Sequence, residues 1–484
     1  MRPCRIGCFR VIASVAAGIV PFLVIPESVW AEQQQEVNPD LQSLPSNDTP
    51  AQQQLLQQLQ LQRQETSTTP VDDLRKEKDQ APIPDYVPLE QKQSTTPDDV
   101  LTVRRRAIED NLPIGVKAGG FLISPGIELQ TAYDDNIFLT PSGKKSDWIT
   151  DVKPALGIQS NWERNAIFLG AEGDFGFYRN NDQQSFSDYG ALASGQYDIA
   201  QDTYVIVGAS SVKRHQELGA VANSIGQQPV SYKTTAENVE FVRSVAAIKL
   251  DVTGQNQDIS LSGGIPSGFA GFGDVLDRND KSAGVTIKYE TMPDNNIFVS
   301  TLYDRTRFSL PSGPDQTSAG TNNKLGYEFS TPRGIAGSVF GGYLYRTYEE
   351  GTSSTRKPYL GFNLGWTFTD MTKLSLFMDK DFNDETVEGA AGVVHTIHKV
   401  SLEQKLSLSL TGTVFGGMDN VDYVGGDPAF DRNTKLYYSG INFQYKLAEG
   451  IGLKPQYQYS KRTSEFASDN YTDNRVYLSL LYMY

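Results

Sequence analysis

From Phe121 to its last residue the chain repeats one texture: short runs in which apolar and polar side chains alternate, broken by turn-forming residues. Alternation with period two puts one parity on each face of a β-strand, so each run turns one face to an apolar medium and the other to water. In 359–368, Leu360, Phe362, Leu364, Trp366 and Phe368 alternate with Tyr359, Gly361, Asn363, Gly365 and Thr367. In 436–447, Tyr437, Ile441, Phe443, Tyr445 and Leu447 alternate with Gly440, Asn442, Gln444 and Lys446, and 248–255, 283–290 and 451–460 behave likewise. Eighteen segments of this kind follow one another, at 126–134, 149–162, 165–179, 187–200, 203–216, 232–245, 246–260, 278–292, 295–309, 322–332, 335–349, 356–369, 372–384, 395–407, 408–423, 433–448, 450–464 and 474–484. Parity is ambiguous in 203–216, 232–245 and 335–349, which leaves the strand number open by two.

The connections alternate as well. Trp162 to Asn165, Ala200 to Thr203, Met292 to Asn295, Pro332 to Ile335, Asp370 to Thr372 and Ala448 to Gly450 are tight, and most of those between them are much longer. Short turns at one end and long loops at the other are the layout of a transmembrane antiparallel β-barrel, with the short turns in the periplasm. The expected fold class is therefore all-β, a barrel of about eighteen strands. An even number brings both ends of the barrel to the same side of the membrane. In the last strand Val476, Leu478, Leu480, Tyr482 and Tyr484 are apolar at every second position and end on an aromatic ring. This ending resembles the outer-membrane insertion signal of bacterial barrels, which makes outer-membrane lipids and the barrel assembly machinery expected partners.

Composition narrows the alternatives. With 38% hydrophobic residues and a mean hydropathy of −0.40, a bundle of membrane helices is excluded, since each span needs roughly 20 mostly apolar residues. Alternating strands escape that limit because only every second residue meets lipid. A net charge of −15 argues against nucleic acid as a partner. A soluble exported β-protein would share the averages, but not the terminal signal or the tall apolar faces.

Residues 1–31 carry Arg2, Arg5 and Arg10, an apolar run from Val11 to Ile25, and Val29-Trp30-Ala31 before Glu32, the pattern of a cleaved signal peptide. Both cysteines, Cys4 and Cys8, lie in it, so the mature chain is expected to have no disulfide, thiolate nucleophile or cysteine metal site. Residues 32–112 are expected to be a disordered periplasmic extension. Twelve glutamines fall between Glu32 and Gln64, and prolines at 70, 82, 84, 88 and 97 follow, a composition that buries too little apolar surface to order itself. Leu55, Leu56 and Leu59 allow one short helix over 51–64. The barrel occupies 113–484.

The stretch 113–138 runs Pro-Ile-Gly-Val-Lys-Ala-Gly-Gly-Phe-Leu-Ile-Ser-Pro-Gly-Ile-Glu-Leu-Gln-Thr-Ala-Tyr-Asp-Asp-Asn-Ile-Phe, followed by Ser146-Asp147-Trp148 and a strand ending Asn161-Trp162. It resembles the opening of the putative β-barrel porin family, second type, outer-membrane barrels often associated with exopolysaccharide or capsule secretion. Tyr133-Asp134-Asp135-Asn136-Ile137-Phe138 is its most specific block. The resemblance implies a barrel of porin size and a polysaccharide conduit; a periplasmic polysaccharide-export protein is a further expected partner.

Little points to chemistry. Of the three histidines, His398 has Ser401 and Glu403 nearby, but no spacing joins nucleophile, base and orienting group. His395 and His398 flank a strand start, so they are not read as a metal pair, and no cofactor is expected. Asp134-Asp135-Asn136 lacks the glycine and distal glutamate of a calcium loop and reads as a turn capped by carboxylates. One parity collects Glu172, Asp174, Lys249, Asp251, Lys288, Glu290, Lys399, Glu403 and Lys405, the expected lumen lining. Tyr289, Tyr437, Tyr457, Tyr459 and Tyr482 suit interfacial girdles if they face outward, and sugar stacking if they face inward. The expected function is a hydrophilic pore, with a plugged structural or receptor barrel as its rival. Deleting Tyr482–Tyr484 is expected to deplete the protein from outer membranes; a normal heat-modifiable barrel in that deletion, read by gel mobility, would contradict the insertion role.

Overall fold

The computed structural model describes residues 115–162, 164–216, 230–261, 277–308, 317–349, 354–383, 392–424, 433–465, 467 and 470–484. The expected signal peptide, the extension with its short helix, and the loop over 262–276 lie outside them. Within them run β1 (Val116–Ala118), β2 (Phe121–Asp134), β3 (Asp147–Ser160), β4 (Ala166–Tyr178), β5 (Phe186–Ala200), β6 (Thr203–Gln216), β7 (Val230–Val245), β8 (Ile248–Leu261) and β9 (Arg278–Met292). They continue as β10 (Asn295–Phe308), β11 (Ser318–Ser330), β12 (Ile335–Tyr348), β13 (Ser354–Thr369), β14 (Thr372–Asn383), β15 (Gly392–Lys405), β16 (Leu410–Val424), β17 (Asn433–Ala448), β18 (Ile451–Ser464) and β19 (Tyr471–Met483). Each strand from β2 onward pairs antiparallel with the next, and β19 returns to β2, closing a barrel of eighteen strands. The expected segments 203–216, 278–292 and 433–448 match end to end, and the three of ambiguous parity are β6, β7 and β12.

Closure is where expectation and structure part. The first long strand begins at Phe121 rather than 126, the last at Tyr471 rather than 474, and β1 is an added piece. Strand β19 covers β2 from Asp134, opposite Arg475, to Gly126, opposite Met483. Beyond that point β1 takes over the same edge, Val116 to Ala118 pairing with Ile123 to Phe121. The two lie end to end: the Tyr484 amide donates to the Pro125 carbonyl at 3.1 Å, and the Gly115 amide donates to the Tyr484 carbonyl at 2.8 Å. Pro125 and Gly126 look like strand breakers in the sequence. In the barrel the N–H that Pro125 lacks falls at the junction of β19 and β1, where it interrupts neither ladder.

At the opposite end the Tyr133–Phe138 block fastens the seam. The Asn474 amide and side-chain nitrogen donate to the two oxygens of Asp135 at 2.9 and 2.7 Å. Asn136, fully buried, donates to the carbonyls of Thr140 and Thr472 at 2.9 and 3.0 Å and accepts from the Thr140 amide. Asp134 caps the Asn136 amide at 2.7 Å and lies 2.8 Å from Arg475. Burial pushes the Asp135 carboxyl up, but the Asn474 donors and Lys144 outweigh it and hold it below the usual carboxylate range. Because its folded value is lowered, its contribution to the seam is complete above about pH 4 and fades as pH falls below that.

Nine turns of two to five residues, the one between β1 and β2 included, join strands at the end that carries Gly115 and Tyr484, and the connections at the other end run from five residues upward. The two faces differ along most strands. Leu360, 72% exposed, shares its face with Trp366 and Phe368, while Tyr359 on the opposite parity is buried. Tyr289, Tyr437, Tyr457 and Tyr482 are exposed on the outer face, and Tyr459 shares the Tyr457 parity. Outward aromatics gather near both ends: Tyr133 and Trp148 pack at a tilt at the loop end with centroids 5.3 Å apart, and Trp366 and Phe368 at the short-turn end at 3.8 Å. Two aromatic belts of this kind mark the levels of the two membrane surfaces.

A charge at Leu364, on the lipid-facing side just inside the short-turn belt, is expected to cost roughly 1 to 2 kcal/mol and the same charge at Asn363 little, so equal unfolding midpoints in lipid for Leu364→Arg and Asn363→Arg would reverse the face assignment. Asn136→Ala leaves several buried polar groups at the seam without partners. It is expected to lower barrel stability by about 1–3 kcal/mol, read as an earlier loss of heat-modifiability.

Candidate functional site

The candidate site is the inner wall. Successive strands stand about 4.8 Å apart, and the concave inner surface draws together long side chains from strands that are not neighbours. Lys324 of β11 reaches Asp379 of β14 at 2.8 Å, Lys288 of β9 reaches Glu328 of β11 at 2.7 Å, and Arg214 of β6 reaches Glu172 of β4 at 2.5 Å. Arg346 of β12, buried to 2% exposure, pairs with Asp304 of β10. Lys153 of β3 lies 3.5 Å from Asp174 and donates to Gln130 at 3.2 Å. A charge half-withdrawn from water persists when it is paired and hydrogen-bonded, so this network keeps the wall ionic without leaving isolated charges.

All nine residues expected to line the lumen sit on this inner parity. Glu172, Asp174 and Lys288 are brought into the pairs just described. Lys249 lies directly across from Lys288 in register, and Asp251 opposite Thr286. Glu290 is exposed at the short-turn end, where its amide donates to the Ala247 carbonyl at 2.8 Å. On β15, Lys399 stands across from Phe377, Glu403 across from Lys373, and the Lys405 amide bonds the Met371 carbonyl at 2.7 Å. Sequence reasoning missed Lys153, Arg214, Asp304, Lys324, Glu328, Arg346 and Asp379. Their parity was available, but apart from Lys153, whose partners sit on the adjoining strands, they pair across two or three strands, and only the closed sheet shows that.

The histidines are held apart. His215 lies 2.7 Å from Asp188 and His395 3.2 Å from Asp419. His398 occupies the parity of β15 opposite to Ser401 and Glu403, since residues an odd number apart on a strand face opposite ways. Among the described residues Asp134, Asp135 and Asp473 form the one carboxylate group compact enough for a cation, their oxygens within 4.8 Å. Arg475, 2.8 Å from both Asp134 and Asp473, already supplies positive charge there, and Asn474 and Lys144 occupy Asp135. The turn capped by carboxylates is what the residues build.

A model of the family described as "Putative beta-barrel porin 2" matches residues 112–483. No curated protein gives a significant match. Among solved structures, OpdK of Pseudomonas aeruginosa with vanillate is similar with a TM-score of 0.43 at 11% identity, over 75% of this chain and 99% of that one. A BenF-like porin from Pseudomonas fluorescens Pf-5 gives 0.44 at 12%, over 75% and 99%, and OccK2 (OpdF) of Pseudomonas aeruginosa in complex with glucuronate gives 0.42 at 10%, over 77% and 100%. With a closed barrel of eighteen antiparallel strands, an apolar outer face and an ionic inner wall, all within the matched span, the chain belongs to the Putative beta-barrel porin 2 family of outer-membrane β-barrels.

Proposed function

We propose that the barrel is a water-filled pore that serves as the outer-membrane exit for a polysaccharide or another hydrophilic solute, with its short-turn end in the periplasm. The observation that carries this reading is the inner wall itself. Cross-strand ion pairs such as Lys153–Asp174, Lys288–Glu328 and Lys324–Asp379 line it, and an interior of eighteen strands is wider than its own side chains fill. Ionic side chains hold water, and a wet, mixed-charge wall passes polar solutes while excluding lipid. The glutamine-rich segment between the signal peptide and the barrel would extend into the periplasm and tether a polysaccharide-export partner, folding on it at modest affinity.

The plugged barrel keeps one observation in its favour. Tyr204, Ile206 and Val242 of β6 and β7 lie on the inner parity yet are buried to 3%, 4% and 1% exposure, which a bare aqueous lumen would leave wet. Planar-bilayer recordings separate the two readings: the pore is expected to give stepwise conductance, and loss of the protein to reduce surface polysaccharide without blocking its synthesis. A silent barrel together with unchanged surface polysaccharide would leave the plugged reading standing.

A further inference from the structure

The inner wall is unevenly finished. Around much of its circumference the cations are committed to carboxylates, as in the pairs of Lys153, Arg214, Lys288, Lys324 and Arg346. Across β13 to β17 the pattern changes. One row of the sheet runs Asn363, Phe377, Lys399, Gly417 and Tyr438, a residue from each of five successive strands, all on the inner parity. The next row toward the short turns runs Gly365, Ser375, Ser401, Phe415 and Gly440. The Tyr438 ring lies over Gly417 and the Phe415 ring over Gly440, so closely that a Cβ at either glycine would collide with it. Rings seated on glycine in this way lie along the sheet and turn a face to the lumen. Phe377, Phe415 and Tyr438 are half-buried, and Asn363 and Lys399 are exposed.

The polar groups of this patch are uncommitted. The side chains of Asn363, Ser375, Ser401 and Lys399 have no hydrogen-bond or ion-pair partner among the described residues, and the Lys399 ammonium stands 5.9 Å from the Phe377 ring centre. The nearest acids in register do not neutralise it: Asp379 is held by Lys324 and Asp419 faces His395. Aromatic faces beside free hydroxyls, an amide and one unpaired cation form a composite surface. The electron-rich ring faces suit a flat array of C–H bonds, the hydroxyls and amide suit a rim of hydroxyl groups, and the ammonium suits a carboxylate.

The geometry points to a binding site on β13 to β17 for a pyranose ring that carries a carboxylate, as in a uronate-containing saccharide. It rests on the pore reading for access, since the patch faces the lumen, and it adds to that reading the chemical class of solute. The probes are trigalacturonate, galacturonate and maltotriose, used with the full-length protein, titrated calorimetrically in detergent and added to single channels in planar bilayers. Trigalacturonate is expected to bind and to interrupt the current, and maltotriose to do so more weakly. Phe415→Ala and Tyr438→Ala should each weaken trigalacturonate about tenfold. Lys399→Gln, at an exposed position that the fold does not need, should narrow the difference between trigalacturonate and maltotriose. Tighter binding of the trimer than of galacturonate would assign the site to a polysaccharide, and equal binding to a free sugar acid, both in support of it. Equal trigalacturonate binding by the wild-type protein and by heat-modifiable Tyr438→Ala and Lys399→Gln would overturn the site while leaving the pore intact. A channel that never opens would overturn the pore, and the calorimetric titration would still decide the site.

Discussion

Every strand of this molecule depends on one seam. A sheet that enters lipid must satisfy each backbone N–H and C=O internally, because no water is present to do so, and an open edge would leave a row of them bare. Here β19 meets β2 along nine residue pairs, β1 completes the rest of the edge, and the Tyr484 and Gly115 backbones join the two segments. The carboxyl-terminal residues and the first residues of the barrel are therefore parts of the same closure. At the loop end the Asp134–Asn136 turn locks the same two strands through side chains, so the seam is held at both ends and paired between them.

Closure then dictates the two surfaces. Once the sheet curves shut, the parity of each residue decides its solvent, and a shift of one residue would exchange them all. Outside, tyrosine and tryptophan rings settle at the two ends and aliphatic side chains between them. Inside, side chains converge, and ion pairs form across two and three strands. Lys324 with Asp379 and Arg346 with Asp304 are the clearest products of that curvature. Paired in this way the charges stiffen the wall, and among the described residues the row from Asn363 through Lys399 to Tyr438 lies between such pairs without joining one.

Much of this was legible in the sequence because period two is a local signal. The alternation in 359–368, 436–447 and the last ten residues follows from what each side chain must face, and it located all eighteen strands and the two parities of each. The tyrosines singled out from sequence proved to face outward, since parity left them no other side.

The sequence by itself thus determined the elements, their order, the alternation of short and long connections and the division into two faces, all set by residues near one another in the chain. Only the tertiary structure decided which charges meet, how Pro125 and Gly126 stay inside a strand, why β1 exists, and which aromatic rings rest on glycines of the inner wall. Those outcomes depend on the register between strands and on the curvature of the closed sheet. Both are set by contacts between residues as far apart as Asp135 and Asn474, and no local pattern carries that information.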